Sequence, residues 1–133
     1  MDQIALIDCA ERVDIQRVLA ALREIRLRLA GQEEAYLTDA IAAKLTEHDI
    51  PARREFRFGP LCRADVWIDG IVVEAKKRRP PLAELVAQLT RYAAQPNCRE
   101  LIVVLERSVP LATEIRGKPV HRVSLHSLWG VAL

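Results

Sequence analysis

The chain has 133 residues, half of them hydrophobic and 29% charged, a balance that allows one buried core and excludes a disordered or fibrous chain. A formal net charge of +2 excludes a polycation, so a polyanionic partner would have to be met at a local patch. No uninterrupted apolar run, Leu101 to Leu105 included, approaches a membrane span, and Met1-Asp2-Gln3 lacks the start of a secretory signal, so a cytoplasmic location is expected.

Met1 to Ala10 carries no legible pattern. From Ile15 the residues Val18, Leu19, Leu22, Ile25 and Leu29 keep a helical period, with Asp14 as N-cap and Gly31 as the break. A second helix is expected from about Gln32 to His48, with Leu37, Ile41 and Leu45 on one stripe and Pro51 beyond its end. The period then changes to two. Arg53 to Phe58, Arg63 to Ile68 and Ile71 to Lys76 read as three strands, the last two separated only by Asp69-Gly70. Pro80-Pro81 starts a helix whose stripe is Leu82, Leu85, Val86, Leu89 and Ala93. Leu101 to Leu105 suits a strand covered on both faces, and Val120 to Leu125 a last strand. A strand, a helix and a buried strand in succession imply a parallel crossover. The fold expected is α/β, a mixed sheet flanked by helices.

The three cysteines, Cys9, Cys62 and Cys98, lie far apart and read as reduced thiols rather than a metal or redox motif. His48, His121 and His126 read as surface histidines. The absence of a glycine-rich phosphate loop argues against ATP use. The charge is unevenly placed, with Lys76-Lys77-Arg78-Arg79 in one run and Arg53-Arg54 as a pair. A basic patch on a near-neutral chain suits a polyanion met at one face.

The Asp69-Gly70 turn fixes a register. A two-residue loop sets Ile68 opposite Ile71, Val66 opposite Val73 and Ala64 opposite Ala75, six apolar residues expected on one, buried, side. The same register sets Asp65 opposite Glu74, Trp67 opposite Val72 and Arg63 opposite Lys76. Facing residues have Cβ atoms about 4.5–5.5 Å apart, so two carboxylates there repel unless a positive group lies between them. Magnesium or manganese fits hard oxygen donors of this kind. Lys76 would add a cationic head on the same face. That is the chemistry of phosphodiester hydrolysis: a cation polarises the phosphate, and a lysine steadies hydroxide or transition-state charge. The alternative is a salt-bridged sheet in which Lys76 and Arg63 only neutralise two surface acids.

Asp65 followed by Glu74-Ala75-Lys76 at the end of the next strand resembles the PD-(D/E)XK signature of restriction-endonuclease-like nucleases. A glutamate-bearing helix, three strands, a helix and a strand are similar to that family's αβββαβ core, over roughly Gln32 to Leu105. The resemblance implies a single nuclease domain, with residues 1–31 a helical extension, 32–105 the catalytic core and 106–133 a strand and tail. It implies Mg2+ or Mn2+ held by Asp65, Glu74, the carbonyl of Ala75 and a helix glutamate. Glu34 is the choice for that glutamate, with Glu33 fitting nearly as well. Gln88 and Tyr92, one helical turn apart, resemble the Gln-x-x-x-Tyr motif of RecB-type and phage exonuclease relatives. There Gln88 would orient a water or phosphate, and Tyr92 would stack on a base or touch the backbone. An ordinary amphipathic helix is the alternative for that pair. The family's proline before the first aspartate is replaced by Ala64, and the four cysteines of cluster-bearing members are missing.

The function expected is therefore magnesium-dependent hydrolysis of DNA, endo- or exonucleolytic or junction-resolving, with RNA as the other substrate these residues would serve. Arg54, Lys77, Arg78 and Arg79 are the expected phosphate contacts. A domain so small implies a homodimer or a larger assembly on a duplex. The competing expectation is a nuclease scaffold that binds nucleic acid or a protein without cutting.

Overall fold

The computed structural model describes residues 13–26 and 34–125. Cys9, Arg28, Leu29, Gly31, Glu33, His126 and the side chain of Glu34 lie outside this description.

Helix α1 spans Ile15–Leu22, and Asp14 caps it by accepting the Gln16 N–H at 3.0 Å. It is shorter than its apolar period suggests. The N–H groups of Glu24 and Ile25 step to the carbonyls three residues back, at 3.1 and 3.2 Å. That tightening ends the helix yet still turns Ile25 into the core. Helix α2 spans Glu34–Glu47 and buries Leu37, Ile41 and Leu45 completely. Arg17 donates to the His48 carbonyl at 2.7 Å and ties the two helices together.

Strands β1 (Arg53–Gly59), β2 (Cys62–Ile68) and β3 (Ile71–Lys76) form an antiparallel meander. Helix α3 (Leu82–Ala93) leads to β4 (Glu100–Leu105), and β5 (Glu114–Ile115) and β6 (Lys118–Ser124) follow. The sheet order is β1-β2-β3-β4-β6-β5, with β3, β4 and β6 parallel and the other neighbours antiparallel. The fold is α/β, with a six-stranded mixed sheet and three helices among the described residues. None of those helices is long and apolar enough to cross a membrane.

Two apolar layers cover the sheet. On one face α1 and α2 pack on Val66, Ile68, Ile71, Val73, Ala75, Ile102, Val104 and Val123. On the other, Leu85, Leu89, Tyr92 and Ala93 of α3 pack on Phe58, Cys62, Ala64, Val72, Leu101 and Val103. Strand β4 is buried on both faces, as its unbroken apolar run requires. Helix α1 contributes Val18, Leu19, Ala21 and Leu22 to that core.

The sheet departs from expectation at three places. Leu82 and Val86 of α3 are exposed, and the buried stripe runs through Leu85, Leu89, Tyr92 and Ala93. Strand β5, two residues long, is too short to leave a periodic signal. Most important, Ala64 does not share a face with Val66 and Ile68: it packs in the α3 layer, whereas they pack under α1 and α2. The alternation of β2 changes phase at Asp65.

Its neighbour changes phase with it. In β1, Phe56 and Phe58 face α3, while Arg54 reaches Asp39 of α2 at 2.6 Å. The register pairs Arg54 with Val66 and Phe56 with Ala64, which leaves Glu55 opposite Asp65. Glu55 has φ of 51°, a left-handed conformation that non-glycine residues seldom adopt within a strand. The left-handed residue of β1 thus lies opposite the residue of β2 at which the alternation changes phase.

Candidate active site

The hairpin forms as its turn demands. Asp69 and Gly70 have φ of 47° and 92°, and the pairs Ile68–Ile71, Trp67–Val72 and Val66–Val73 are all present. Arg99 fastens the turn from outside, donating to the Asp69 carbonyl at 2.7 Å. Beyond Val66–Val73 the β2–β3 ladder stops. Asp65 and Glu74 occupy that point.

Each acid there bonds to the other strand's backbone. Asp65 Oδ2 accepts the Ala75 N–H at 2.9 Å, and Glu74 Oε1 accepts the Asp65 N–H at 3.2 Å. The two carboxylates interlock on the same end of the hairpin. Glu74 is 3% exposed and is the only charged side chain buried among the described residues. A buried carboxylate needs compensation by hydrogen bonds or positive charge. Lys76 Nζ lies 3.8 Å from Glu74 Oε2, and Gln88 Nε2 donates to the same oxygen at 3.3 Å.

Asp65 carries an electrostatic cost. Burial pushes its carboxyl above the usual aspartate range, against the pull of the Ala75 N–H and the Lys76 ammonium. Glu55 adds to the upward push and Arg63 opposes it. A cation beside Asp65 would relieve that cost. Glu55 had no motif to mark it in the sequence; the usable signal is its place in the charged and apolar alternation of β1, directly across from Asp65.

Helix α3 presents Gln88 to the site. Its amide bridges two groups, donating to Glu74 and also to the Tyr92 hydroxyl at 3.1 Å. Tyr92 in turn donates to the Arg63 carbonyl at 2.8 Å. Its ring is 3% exposed, edge-on to Phe58. Tyr92 therefore cannot stack on a base, as expected from sequence; its work is internal, tying α3 to β2. Trp67 packs with Phe56 and Phe58 at centroid distances of 4.9 and 5.0 Å.

Asp65, Glu74, Lys76 and Gln88 are thus brought together. The basic residues are more dispersed in their roles. Lys77 is half-buried in an ion pair with Glu106 at 3.0 Å, and Arg79 donates to the Ser108 carbonyl at 3.4 Å. Arg54 is paired with Asp39. Arg78 is exposed and makes no hydrogen bond or ion pair among the described residues. A cleft of about 440 Å³ lined by Arg79, Pro80, Pro81, Leu82, Val109 and Pro110 is separate from the acids.

Among the described residues, one group of three donor side chains could hold a metal ion. Glu24, Glu47 and His48 bring their donor atoms within 4.8 Å of one another at the surface. Lys44 already neutralises it, at 3.7 Å from Glu24 and 3.1 Å from Glu47, and His48 bonds Glu24 at 2.8 Å. His121 is likewise paired, with Glu100 at 2.8 Å. Cys62 and Cys98 are free, buried thiols, and burial pushes the Cys98 thiol up to about 11.

Compared with protein-family models, with curated proteins and with solved structures, the chain matches none of them, so any functional reading stands on this geometry.

Proposed function

We propose that this chain is a metal-dependent nuclease of the PD-(D/E)XK type that hydrolyses phosphodiester bonds in DNA. The observation that carries the reading is the buried Glu74 carboxylate, interlocked with Asp65 and flanked by Lys76. The donor set fits a hard divalent cation such as Mg2+ or Mn2+: carboxylate oxygens from two strands, one of them bearing a desolvation cost that positive charge offsets. Asp65 and Glu74 would hold it, with the Ala75 carbonyl and Glu34 completing the set. When bound, the cation supplies polarisation of a phosphate oxygen and a more acidic water.

The chain's own residues do the rest. Lys76 places its ammonium beside Glu74, where it would steady hydroxide or the charge that builds on the phosphate. Gln88 holds the Glu74 carboxylate in orientation, anchored through Tyr92 to the backbone of β2. Arg78 supplies an uncommitted cation for a phosphate, positioning the strand without reading sequence. A dimer or larger assembly would extend the limited surface of this domain along a duplex; sedimentation on and off DNA tests that.

A second reading is favoured by one observation. Both acids already accept backbone N–H groups, so the pair also serves as a clasp between β2 and β3. A chain using them only as a clasp would be a binding module that does not cut. The readings separate in one assay: plasmid cleavage in Mg2+ or Mn2+ by wild type, Glu74→Gln and Lys76→Ala. Cutting by wild type that both variants lose by two or more orders of magnitude supports the nuclease. DNA binding by wild type, with no cutting by wild type or either variant, supports the module.

A further inference from the structure

Glu55 adopts a left-handed backbone within β1, directly across from Asp65. Among the described residues, five non-glycine residues have positive φ. Asp49 follows α2; Leu61, Asp69 and Arg116 lie at or beside turns between strands, where left-handed backbone is ordinary. Glu55 alone lies inside a strand. Its neighbours Arg54 and Phe56 keep their pairing with Val66 and Ala64, so the sheet tolerates the distortion without an inserted residue. Distortions of this kind recur beside functional sites, where they re-aim a side chain.

The re-aimed side chain is Asp65. In an antiparallel hairpin with a two-residue loop, every second facing pair exchanges both backbone hydrogen bonds. Counting from Ile68–Ile71, that pattern assigns the Ala75 N–H to the carbonyl of Ala64. Instead the Asp65 carboxylate has taken it, and Ala64 has turned into the α3 layer. A straight β1–β2 pair would carry Ala64 back under α2 and move the Asp65 carboxylate off β3.

We propose that Glu55 is a positioning residue: its left-handed backbone, imposed on the facing strand, sets the Asp65 carboxylate on β3 beside Glu74. The proposal deepens the nuclease reading and rests on it for its catalytic meaning, but its geometry is testable without metal or DNA. Any residue that accepts positive φ serves the purpose. Glycine does so without steric cost, and a β-branched residue resists it most. The Glu55 carboxylate, 3.7 Å from Arg63 Nε, is secondary to the backbone.

The experiment compares wild type, Glu55→Gly and Glu55→Val by NMR, using the through-hydrogen-bond coupling that identifies the acceptor of the Ala75 N–H. Wild type and Glu55→Gly should both couple Ala75 to the Asp65 carboxyl carbon, and Glu55→Gly should melt at a higher temperature. Glu55→Val should transfer that coupling to the Ala64 carbonyl. Mn2+ affinity should stay within about two-fold in Glu55→Gly and fall by about ten-fold or more in Glu55→Val. Should Glu55→Val keep the Asp65 coupling, or Glu55→Gly lose it, the proposal is overturned. If Glu55→Val does not fold, Glu55→Thr, β-branched and more polar, is read in its place, with the same two outcomes. Wild type that neither binds Mn2+ nor cuts DNA removes the nuclease reading, while the coupling still decides what positions Asp65.

Discussion

Asp65 Oδ2 accepts the N–H of Ala75 at 2.9 Å, replacing a backbone carbonyl in the ladder between two strands. This bond gives Asp65 two roles that conflict in energy. Its carboxylate closes the hairpin, and it does so as a charge partly removed from water, which raises its pKa. Folding therefore favours the protonated form.

That conflict predicts a stability gain from Asp65→Asn. A carboxyl raised in the folded state contributes stability that is full below its unfolded value, near 3.8, and is lost as pH rises through the folded value. Asparagine keeps an oxygen for the Ala75 N–H and has no charge to desolvate. The variant should melt a few degrees above wild type near neutral pH. The gain should vanish in acid, where Asp65 is itself neutral. Thermal unfolding across that range checks it; a gain independent of pH would point to packing instead.

Tyr92→Phe tests the support behind Glu74. Burial first, and then the charge of Glu74, push the phenol up to about 12, so it remains a neutral donor through the physiological range. Phenylalanine leaves the Arg63 carbonyl without its partner and frees one end of the Gln88 amide. Denaturant titration should show a loss of about 1–3 kcal/mol. Cleavage should fall further than this stability loss explains, because Gln88 no longer holds Glu74 fixed.

Arg78 and Lys77 should behave differently despite adjacency. Arg78→Ala should weaken DNA binding for all sequences and reduce the slope of log affinity against log salt by about one. Lys77→Ala should instead cost about 1–3 kcal/mol of stability, because it strands a half-buried Glu106. Fluorescence titrations at several salt concentrations separate the two.

Gly70→Ala probes the turn that sets the register. At φ of 92° a Cβ would lie 2.8 Å from Arg99 Cγ and 3.0 Å from the Asn97 carbonyl. The cost should be at least about 1 kcal/mol, with cleavage lost in proportion to folding.

Much of this site was legible because the turn residues speak locally. Asp69-Gly70 permits a two-residue loop, and that loop fixes which residues face each other as far as Val66–Val73. The kink was not legible. Arg63-Ala64-Asp65-Val66 alternates as regularly as any strand, and Glu55 carries no intrinsic preference for left-handed backbone. Only the packing of Phe56 and Phe58 against Trp67 and α3 reveals that both strands turn over. Tyr92 misled for a similar reason. A tyrosine one turn from Gln88 looks polar in sequence, but its ring fills the α3 layer and only its hydroxyl reaches a partner. The end of α1 at Leu22 is set by a shift to tighter hydrogen bonding, which leaves the apolar period intact through Ile25.

The most direct measurement is calorimetric titration of Mn2+ into wild type, Asp65→Asn, Glu74→Gln and Glu24→Gln, without DNA. A metal site at the acid pair requires uptake that Asp65→Asn and Glu74→Gln abolish, and that Glu24→Gln, in the surface cluster neutralised by Lys44, leaves unchanged. Wild type that takes up no Mn2+, or uptake that survives Glu74→Gln and disappears with Glu24→Gln, would contradict it.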